Sequence, residues 1–177
     1  MSSFIIEGGK RLTGEVIPQG AKNEALQVLC AVLLTQQPVT ITNLPDIVDV
    51  NKLIDLLASM GVKVQHNGPG AYCFQADEVN LDYLEKEEFR QKGGSLRGST
   101  MILGPLLGRF GIGALPKPGG DKIGRRRMDT HFIGFEMLGA SFAYDSTNGF
   151  FKASALKGLK GTKMLLDEAS VTGTANI

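Results

Sequence analysis

The sequence predicts an α/β fold built from a repeated unit, with sheets and amphipathic helices packed outside a core of buried helices. Three observations lead to this prediction. The order helix, strand, helix and hairpin occurs twice along the 177 residues. The first helix of each unit is apolar on nearly all sides, which is typical of a helix that lies in an interior. A third copy of the same beginning stands at residues 170–177.

The first unit begins with a helix predicted over residues 25–34, which ends before Pro38 and is followed by a strand over residues 39–43. A second helix is predicted over residues 49–60, because apolar residues recur there every three or four positions. A hairpin follows, with its turn at residues 67–70. The second unit repeats this order, with a helix over 100–108, a strand over 111–115, a helix that ends before Gly139 and a hairpin over 141–153.

One loop of the second unit is longer than its counterpart in the first. Lys22 and Arg97 stand at equivalent helix beginnings 75 residues apart, whereas Gly61 and Gly139 stand at equivalent helix ends 78 residues apart. The second unit has therefore gained three residues, which fall around the glycine-rich loop 119–124. Because loops carry function more often than the scaffold does, this insertion indicates a functional loop.

A third unit is expected to begin at the end of the chain. Thr172 stands 75 residues after Arg97, and Ser170 has the residue type and position of a helix N-cap. The sequence stops where that helix should begin, which would leave a core of stacked units open. We therefore expect the chain to be the N-terminal part of a longer protein.

Composition narrows the class of protein. A hydrophobic fraction of 42% allows a real core, and a net charge of +1 gives no global reason to expect nucleic-acid or membrane binding. The N-terminus lacks the pattern of a signal peptide, and the longest apolar run, residues 28–34, is too short to span a bilayer, so we expect a cytoplasmic protein. Cys30 and Cys73 are predicted to be buried packing residues, and no metal site is expected.

The inserted loop and the residues after it combine acids with arginines. Asp121 lies among glycines and is followed by Arg125-Arg126-Arg127 and Asp129. Glycines let backbone N–H groups approach an anion, and arginine binds phosphate or carboxylate bidentately. An acid among such cations favours proton transfer on an anionic substrate. The alternatives are a turn aspartate, a solvated basic face and a nucleic-acid patch, the last disfavoured by the flanking acids and the lack of interleaved aromatic residues.

The buried helices predict a second feature of this site. Their N-termini are expected to converge, and two of them carry a cation, Lys22 in the first unit and Arg97 in the second. Helix N-termini attract anions through free N–H groups and the macrodipole, so together they predict an anion site. The third beginning carries the neutral Thr172. The alternative for Lys22 is an ordinary solvated surface lysine.

Several segments resemble the UDP-N-acetylglucosamine 1-carboxyvinyltransferase family of enolpyruvyl transferases. The resemblance runs from Gly8 to Ile177 but covers less than half of such an enzyme. The segments that carry it are Gly20-Ala21-Lys22-Asn23, Leu96-Arg97-Gly98-Ser99, Leu103-Gly104-Pro105-Leu106 and residues 118–131. It implies an inside-out α/β barrel of βαβαββ units, here incomplete. Residues 1–21 would be a strand segment of a domain completed by an absent C-terminal half, and residues 22–177 would supply two units and the start of a third.

The resemblance also implies an activity. Such enzymes transfer enolpyruvyl from phosphoenolpyruvate to the 3-hydroxyl of UDP-N-acetylglucosamine by addition and then loss of phosphate, without a cofactor. This is the first committed step of peptidoglycan synthesis, and so of cell-wall biogenesis, cell shape and cell division. The family takes further phosphate-binding arginines and the base for the sugar hydroxyl from the C-terminal half, so these 177 residues alone are expected to be inactive.

Site residues follow from the same motifs. The resemblance assigns Lys22 and Arg126 to phosphoenolpyruvate and to catalysis, and it implies a proton donor at Asp121. Contacts to the nucleotide sugar are implied for Asn23, Arg97, Arg126, Arg127, Met128, Asp129 and Thr130, and contacts to its uridine end for Glu168, Ala169, Ser170 and Val171. One or two of the three consecutive arginines are expected to face the site.

Asp121 departs from the commonest family pattern, which has a cysteine there. The antibiotic fosfomycin acts by alkylating that cysteine, so the sequence predicts an enzyme that fosfomycin does not inactivate. An aspartate serves as a general acid when burial raises its pKa. Asp129 is predicted to be a helix-start acid that hydrogen-bonds the substrate, His131 to be structural and His66 to be exposed.

Three other functions remain open from the residues. A 5-enolpyruvylshikimate-3-phosphate synthase would share the fold and the chemistry, but Pro118-Gly119-Gly120-Asp121 favours the amino-sugar enzyme over it. A non-catalytic module could bind an anion or a nucleotide sugar without turning it over. A purely structural repeat protein would bind no phosphorylated ligand.

Overall fold

The computed structural model of this chain describes residues 3–116 and 128–177. The first predicted unit is present as an antiparallel three-stranded sheet with two helices. The strand order is β1-β3-β2, so the first strand pairs with the far arm of the hairpin. The elements are α1 (Lys22–Ala31), which continues as a 3₁₀ helix (Val32–Leu34), β1 (Val39–Ile41), α2 (Val48–Ser59), β2 (Lys63–Gly68) and β3 (Ala71–Gln75).

Before the second unit the chain forms two elements that no prediction covered, a 3₁₀ helix (Leu81–Glu85) and α3 (Glu87–Gly94). The second unit then repeats the first, with strand order β4-β6-β5. Its elements are a 3₁₀ helix (Arg97–Ile102) that runs into α4 (Leu103–Phe110), β4 (Ile112–Pro116), α5 (Asp129–Met137), β5 (Ser141–Asp145) and β6 (Phe150–Ser154). The predicted third beginning is helix α6 (Val171–Asn176). The structure thus confirms the repeat.

The first helices of the two units form the core, as predicted. Leu29 of α1 and Leu106 of α4 are fully buried, and they belong to one cluster with apolar residues of α2 and β3. The expectation of burial on all sides of the first helix was wrong, because Val28 is 38% exposed and Leu34 is 55% exposed. Val28 lines a groove of about 310 Å³ between α1 and β1 that no other described element fills.

The two sheets differ in how they are covered. Thr40 of β1 and Ala114 of β4 occupy equivalent positions, since they pair with Cys73 and Lys152 at the same register of the two hairpins. Ala114 is buried, because α3 and the preceding 3₁₀ helix pack on β4, whereas Thr40 is exposed. The first unit therefore lacks, among the described residues, the covering segment that the second unit has.

Residues 3–21 form no helix or strand and lie on the surface. The segment is nonetheless rich in large apolar side chains, of which 82–95% is exposed. These side chains are Phe4, Ile5, Ile6, Leu12, Val16 and Ile17. Single exposed apolar residues are normal on a protein surface, but a run of six in one segment is typical of a surface that another element covers.

Candidate anion and sugar-nucleotide site

The first helices of the three units contact one another. The 3₁₀ helix that begins at Arg97 crosses α1 closely, since a Cβ atom added at Gly98 would lie 2.9 Å from Leu26 Cδ1. Helix α6 contacts α1 as well as the 3₁₀ helix and α4 of the second unit. These contacts join the first helices of the first, second and third units, and the convergence of their N-termini into an anion site stays a prediction.

Lys22 is the first residue of α1 and lies at the surface. Its Nζ atom is 2.8 Å from Asp49 Oδ2, in an ion pair whose side chains are 50% and 39% exposed. An ion pair this exposed contributes little to stability, so an anionic ligand could replace Asp49 as the partner of Lys22 at small cost. No side chain caps the N-terminus of α1, whose N-cap residue is Ala21. Asn23, the next residue, is also exposed.

Arg97 is half-buried at the start of the second unit's 3₁₀ helix. Its charge acts on His131, a residue of α5: burial, and secondarily the positive charge of Arg97, lower the pKa of the His131 imidazole below its usual 6.5. His131 is only 6% exposed. His131 is therefore an interior residue, while its predicted structural role stays a prediction, and the structure confirms that His66, on β2, is exposed.

The start of α5 carries the predicted sugar-nucleotide residues Met128, Asp129 and Thr130. Met128 is the N-cap, and Asp129 is the exposed first residue of the helix, where a carboxylate is favoured by the macrodipole. Thr130 is buried, and its Oγ1 atom donates a hydrogen bond to Asp167 Oδ1 at 2.8 Å. This bond ties the start of α5 to the segment before α6, which holds the residues predicted for the uridine end.

In that segment Glu168, Ala169 and Val171 are exposed, and Val171 is 74% exposed. Ser170 is the N-cap of α6, as predicted: its Oγ atom accepts a hydrogen bond from the backbone N–H of Gly173 at 3.0 Å. Its hydroxyl therefore has a structural partner already. The hydrogen bond from Thr130 to Asp167 and the approach of Gly173 to Thr130 bring this segment next to the start of α5, and the uridine contacts stay a prediction.

Asp121, Arg125, Arg126 and Arg127 lie outside the described residues, so their predicted roles stay predictions. Among the residues that the structure describes, no cluster of His, Cys, Asp and Glu could hold a metal ion. No helix in the same part of the chain is both long enough and apolar enough to cross a membrane.

The prediction for the cysteines was half right. Cys30 is 1% exposed, and burial raises the pKa of its thiol. Cys73 is only half-buried, because it lies on the opposite face of β3 from the buried Phe74. The shallow groove beside it is lined mostly by polar residues of β2 and β3. Both cysteines are free thiols.

Asn176 is the residue of this region that sequence reasoning missed. It is 7% exposed, and both polar atoms of its side chain have partners. Its Oδ1 atom accepts from the backbone N–H of Gly104 at 3.0 Å, and its Nδ2 atom donates to the Thr100 carbonyl at 3.1 Å and to His131 Nδ1 at 3.0 Å. Its sequence context gives no distinguishing signal, because α6 also contains the polar residues Thr172 and Thr174.

Acidification is expected to weaken the fold through His131. Because its pKa is lowered in the folded chain, the unfolded chain binds more protons, and the free energy of unfolding rises with pH. The stability that the neutral His131 gives to the fold is fully present above the usual pKa of 6.5 and is lost as the pH falls below that value. Urea unfolding at pH 7.5 and pH 5.5 should show a smaller pH dependence for His131→Gln than for the unaltered protein, and an equal dependence would contradict the expectation.

Comparison with known proteins finds a matching family model and several similar proteins. A family model described as EPSP synthase (3-phosphoshikimate 1-carboxyvinyltransferase) matches residues 6–177. The chain is 58% identical over 177 residues to a UDP-N-acetylglucosamine 1-carboxyvinyltransferase of Bacteroides thetaiotaomicron, and 58% identical to one of Porphyromonas gingivalis. All of this chain is covered in both cases, but it spans only 41% of the length of these curated relatives.

A solved structure confirms the predicted fold class. The enolpyruvyl transferase NikO from Streptomyces tendae superposes with a TM-score of 0.68, at 23% sequence identity. The match covers 86% of this chain and 32% of that one. The α/β architecture with buried helices and antiparallel sheets is therefore that of the inside-out α/β barrel, present here in part.

Proposed function

This chain belongs to the EPSP synthase family of enolpyruvyl transferases, and from that premise we propose that it is part of an enzyme that transfers enolpyruvyl from phosphoenolpyruvate to the 3-hydroxyl of UDP-N-acetylglucosamine. The observation that carries the proposal is 58% identity to such a transferase over every residue of the chain. The position of Lys22 and Arg97, each at the first residue of one of two helices in contact, supports it, because both proposed substrates are anions that a cationic helix start can bind.

We propose the following roles in the reaction. A base of the C-terminal half takes the proton of the sugar 3-hydroxyl as its oxygen adds to C2 of phosphoenolpyruvate, and Asp121 gives a proton to C3, which forms a tetrahedral intermediate. The Asp121 carboxylate then takes a proton back from C3, the double bond between C2 and C3 re-forms, and the C2–O bond to phosphate breaks as phosphate leaves. Lys22 and Arg126 hold phosphoenolpyruvate and stabilise the departing charge. The sugar nucleotide is held by Asn23, Arg97, Arg126, Arg127, Met128, Asp129, Thr130, Glu168, Ala169, Ser170 and Val171.

The division into domains is also a proposal. Residues 22–177 would supply two βαβαββ units and the start of a third, and residues 1–21 would add a strand to a domain formed by the C-terminal half of the same enzyme. Two features support this division. The first is the run of exposed apolar side chains from Phe4 to Ile17. The second is the open groove between α1 and β1, where the equivalent position beside β4 is covered.

The cellular setting follows from the proposed reaction. UDP-N-acetylglucosamine and phosphoenolpyruvate are soluble phosphorylated metabolites, so we propose a cytoplasmic enzyme that begins peptidoglycan synthesis and supports cell-wall biogenesis, cell shape and cell division. The reaction uses no cofactor. The net charge of +1 also fits small anionic substrates rather than nucleic acid.

A second candidate is the transfer of enolpyruvyl to a phosphorylated shikimate. The description of the matching family model favours it, since that family is named for 3-phosphoshikimate 1-carboxyvinyltransferase. The identity to amino-sugar transferases is the stronger observation, because it extends over the whole chain at 58%.

The function is tested on the full-length protein that contains these residues. Phosphate release from phosphoenolpyruvate should occur with UDP-N-acetylglucosamine and not with shikimate 3-phosphate, whereas residues 1–177 alone should release none. Release only with shikimate 3-phosphate would establish the second candidate. Tight binding of the sugar nucleotide without turnover would identify a binding module, and absence of any binding would leave a structural repeat protein.

A further inference from the structure

We infer that Asn176 is a positioning residue, which fixes the distance between the two segments of the second unit that hold the sugar nucleotide. One segment is the 3₁₀ helix that carries Arg97, and the other is the start of α5 with Met128, Asp129 and Thr130. This inference rests on the proposed function for its consequence, and on the hydrogen bonds of Asn176 for its geometry.

The first part of the geometry is an interrupted helix. In a regular α-helix the N–H of Gly104 would bond to the carbonyl of Thr100, four residues earlier. Here the chain passes from a 3₁₀ helix to α4 at Ile102–Leu103, and the Asn176 amide lies between the two groups. It accepts from Gly104 N–H at 3.0 Å and donates to the Thr100 carbonyl at 3.1 Å. A side chain inserted in this way sets the bend between two helical segments.

The second part is the bond to α5. The amide orientation is fixed, because Oδ1 must face the N–H of Gly104, so Nδ2 faces His131 and donates to its Nδ1 atom at 3.0 Å. His131 must then be neutral with its proton on Nε2. Burial and the charge of Arg97 both lower the pKa of His131, which agrees with the neutral form of the ring.

The third part is close packing around the same residue. A Cβ atom added at Gly104 would lie 2.4 Å from the Asn176 backbone oxygen and 2.6 Å from its Oδ1 atom. A Cβ added at Gly173 would lie 3.0 Å from Thr130 Cγ2. Helix α6 therefore touches α4 and α5 at glycines, and little free space remains for the two segments to shift once Asn176 is bonded.

The consequence is a specific kinetic effect. Without the amide, the 3₁₀ helix and the start of α5 lose their common hydrogen-bond partner. The two segments can then shift relative to each other, and the residues that bind the sugar nucleotide are no longer at a fixed distance. The full-length enzymes Asn176→Ala and Asn176→Asp should show a KM for UDP-N-acetylglucosamine raised about tenfold, with kcat within about twofold of the unaltered enzyme. Aspartate has the same shape but no N–H donors, so it tests the hydrogen bonds without leaving a cavity.

Two controls separate positioning from stability. Thr174→Ala removes an exposed hydroxyl from α6 that bonds only to the Ser170 carbonyl among the contacts described, and should leave KM unchanged. Leu53→Ala removes a fully buried side chain of the first unit and lowers stability without touching Asn176. A rise in KM for both Asn176 variants, absent in both controls, supports positioning. An unchanged KM in Asn176→Asp, or an equal rise in Leu53→Ala, overturns it.

The imidazole of His131 gives a readout that does not depend on turnover. Proton–nitrogen NMR of the full-length protein at pH 7.5, with His131→Gln to assign the signal, should show the proton on Nε2. In Asn176→Asp the carboxylate should draw a proton to Nδ1. A proton on Nδ1 of the unaltered protein would overturn the inference even if the enzyme is active. If the enzyme proves inactive with both proposed acceptors, the proposed function fails while the NMR result still decides on Asn176.

Discussion

Replacement of Asp121 by asparagine in the full-length enzyme is expected to lower kcat by about 10²–10⁴, the usual contribution of a positioned general acid. Asparagine keeps the size and the polarity of the side chain but has no acidic proton to give to C3 of phosphoenolpyruvate. The KM for UDP-N-acetylglucosamine should change little, because Asp121 is not among the residues proposed to hold the sugar. Initial rates of phosphate release, measured as the UDP-N-acetylglucosamine concentration is varied at saturating phosphoenolpyruvate, give both quantities.

The matched control is Asp82→Asn, which makes the same chemical change at an exposed residue of a 3₁₀ helix and should leave kcat unaltered. A second variant tests whether another acid can replace Asp121 as the proton donor. Asp121→Cys should retain turnover, since a thiol can also give a proton, and should become irreversibly inactivated by fosfomycin, to which the unaltered enzyme should be insensitive. An active Asp121→Asn enzyme, or inactivation of the unaltered enzyme by fosfomycin, would remove Asp121 from the mechanism.

Hydrophobic periodicity was sufficient to predict most of the regular elements. The second helix of the first unit was predicted over residues 49–60 and is observed as Val48–Ser59, and both hairpins are where the turn residues placed them. The repeat then located the third helix beginning, with Ser170 as its N-cap. Local patterns such as these depend on neighbours within a few residues, which a sequence displays directly.

Helix α3 could not be predicted in this way. Its eight residues contain one large apolar side chain, Phe89, so they show no hydrophobic period. Phe89 is nevertheless fully buried, because α3 packs between α2 and β4. Periodicity also could not show that Val28 would be exposed, since that depends on which elements cover the other side of α1. Both outcomes are set by tertiary contacts rather than by local propensity.

The candidate site was predictable where its residues stand at equivalent or capping positions of the repeat. Lys22 and Arg97 begin the first helices of two units and Ser170 caps that of the third, so the sequence pointed to them. Asn176 gave no such signal, because its partners Gly104, Thr100 and His131 lie 72, 76 and 45 residues away. Buried polar groups form hydrogen bonds with residues that the tertiary structure brings close, and neighbouring residues in the sequence do not reveal these partners.

Substitution of Gly104 by alanine is expected to lower the free energy of unfolding by about 3 kcal/mol. A Cβ at this position would lie 2.4 Å from the backbone oxygen of Asn176, which cannot move without shifting α6. Overpacking of this kind costs about 1–3 kcal/mol, and loss of the buried hydrogen bonds of Asn176 costs about 1–3 kcal/mol more. Alanine improves helix propensity by about 1 kcal/mol, which offsets only part of the loss.

Gly108 provides the matched control, because it lies one turn later in the same helix and is exposed. A Cβ there would lie 3.8 Å from Leu34 Cδ2, an ordinary contact, so Gly108→Ala should raise the free energy of unfolding by about 0.5–1 kcal/mol. Urea unfolding of the two variants beside the unaltered protein measures the difference. The two substitutions are thus expected to change the free energy of unfolding in opposite directions. If Gly104→Ala were as stable as Gly108→Ala, α6 could not be packed against α4 through Asn176. The geometry inferred for the sugar-nucleotide segments would then also be wrong.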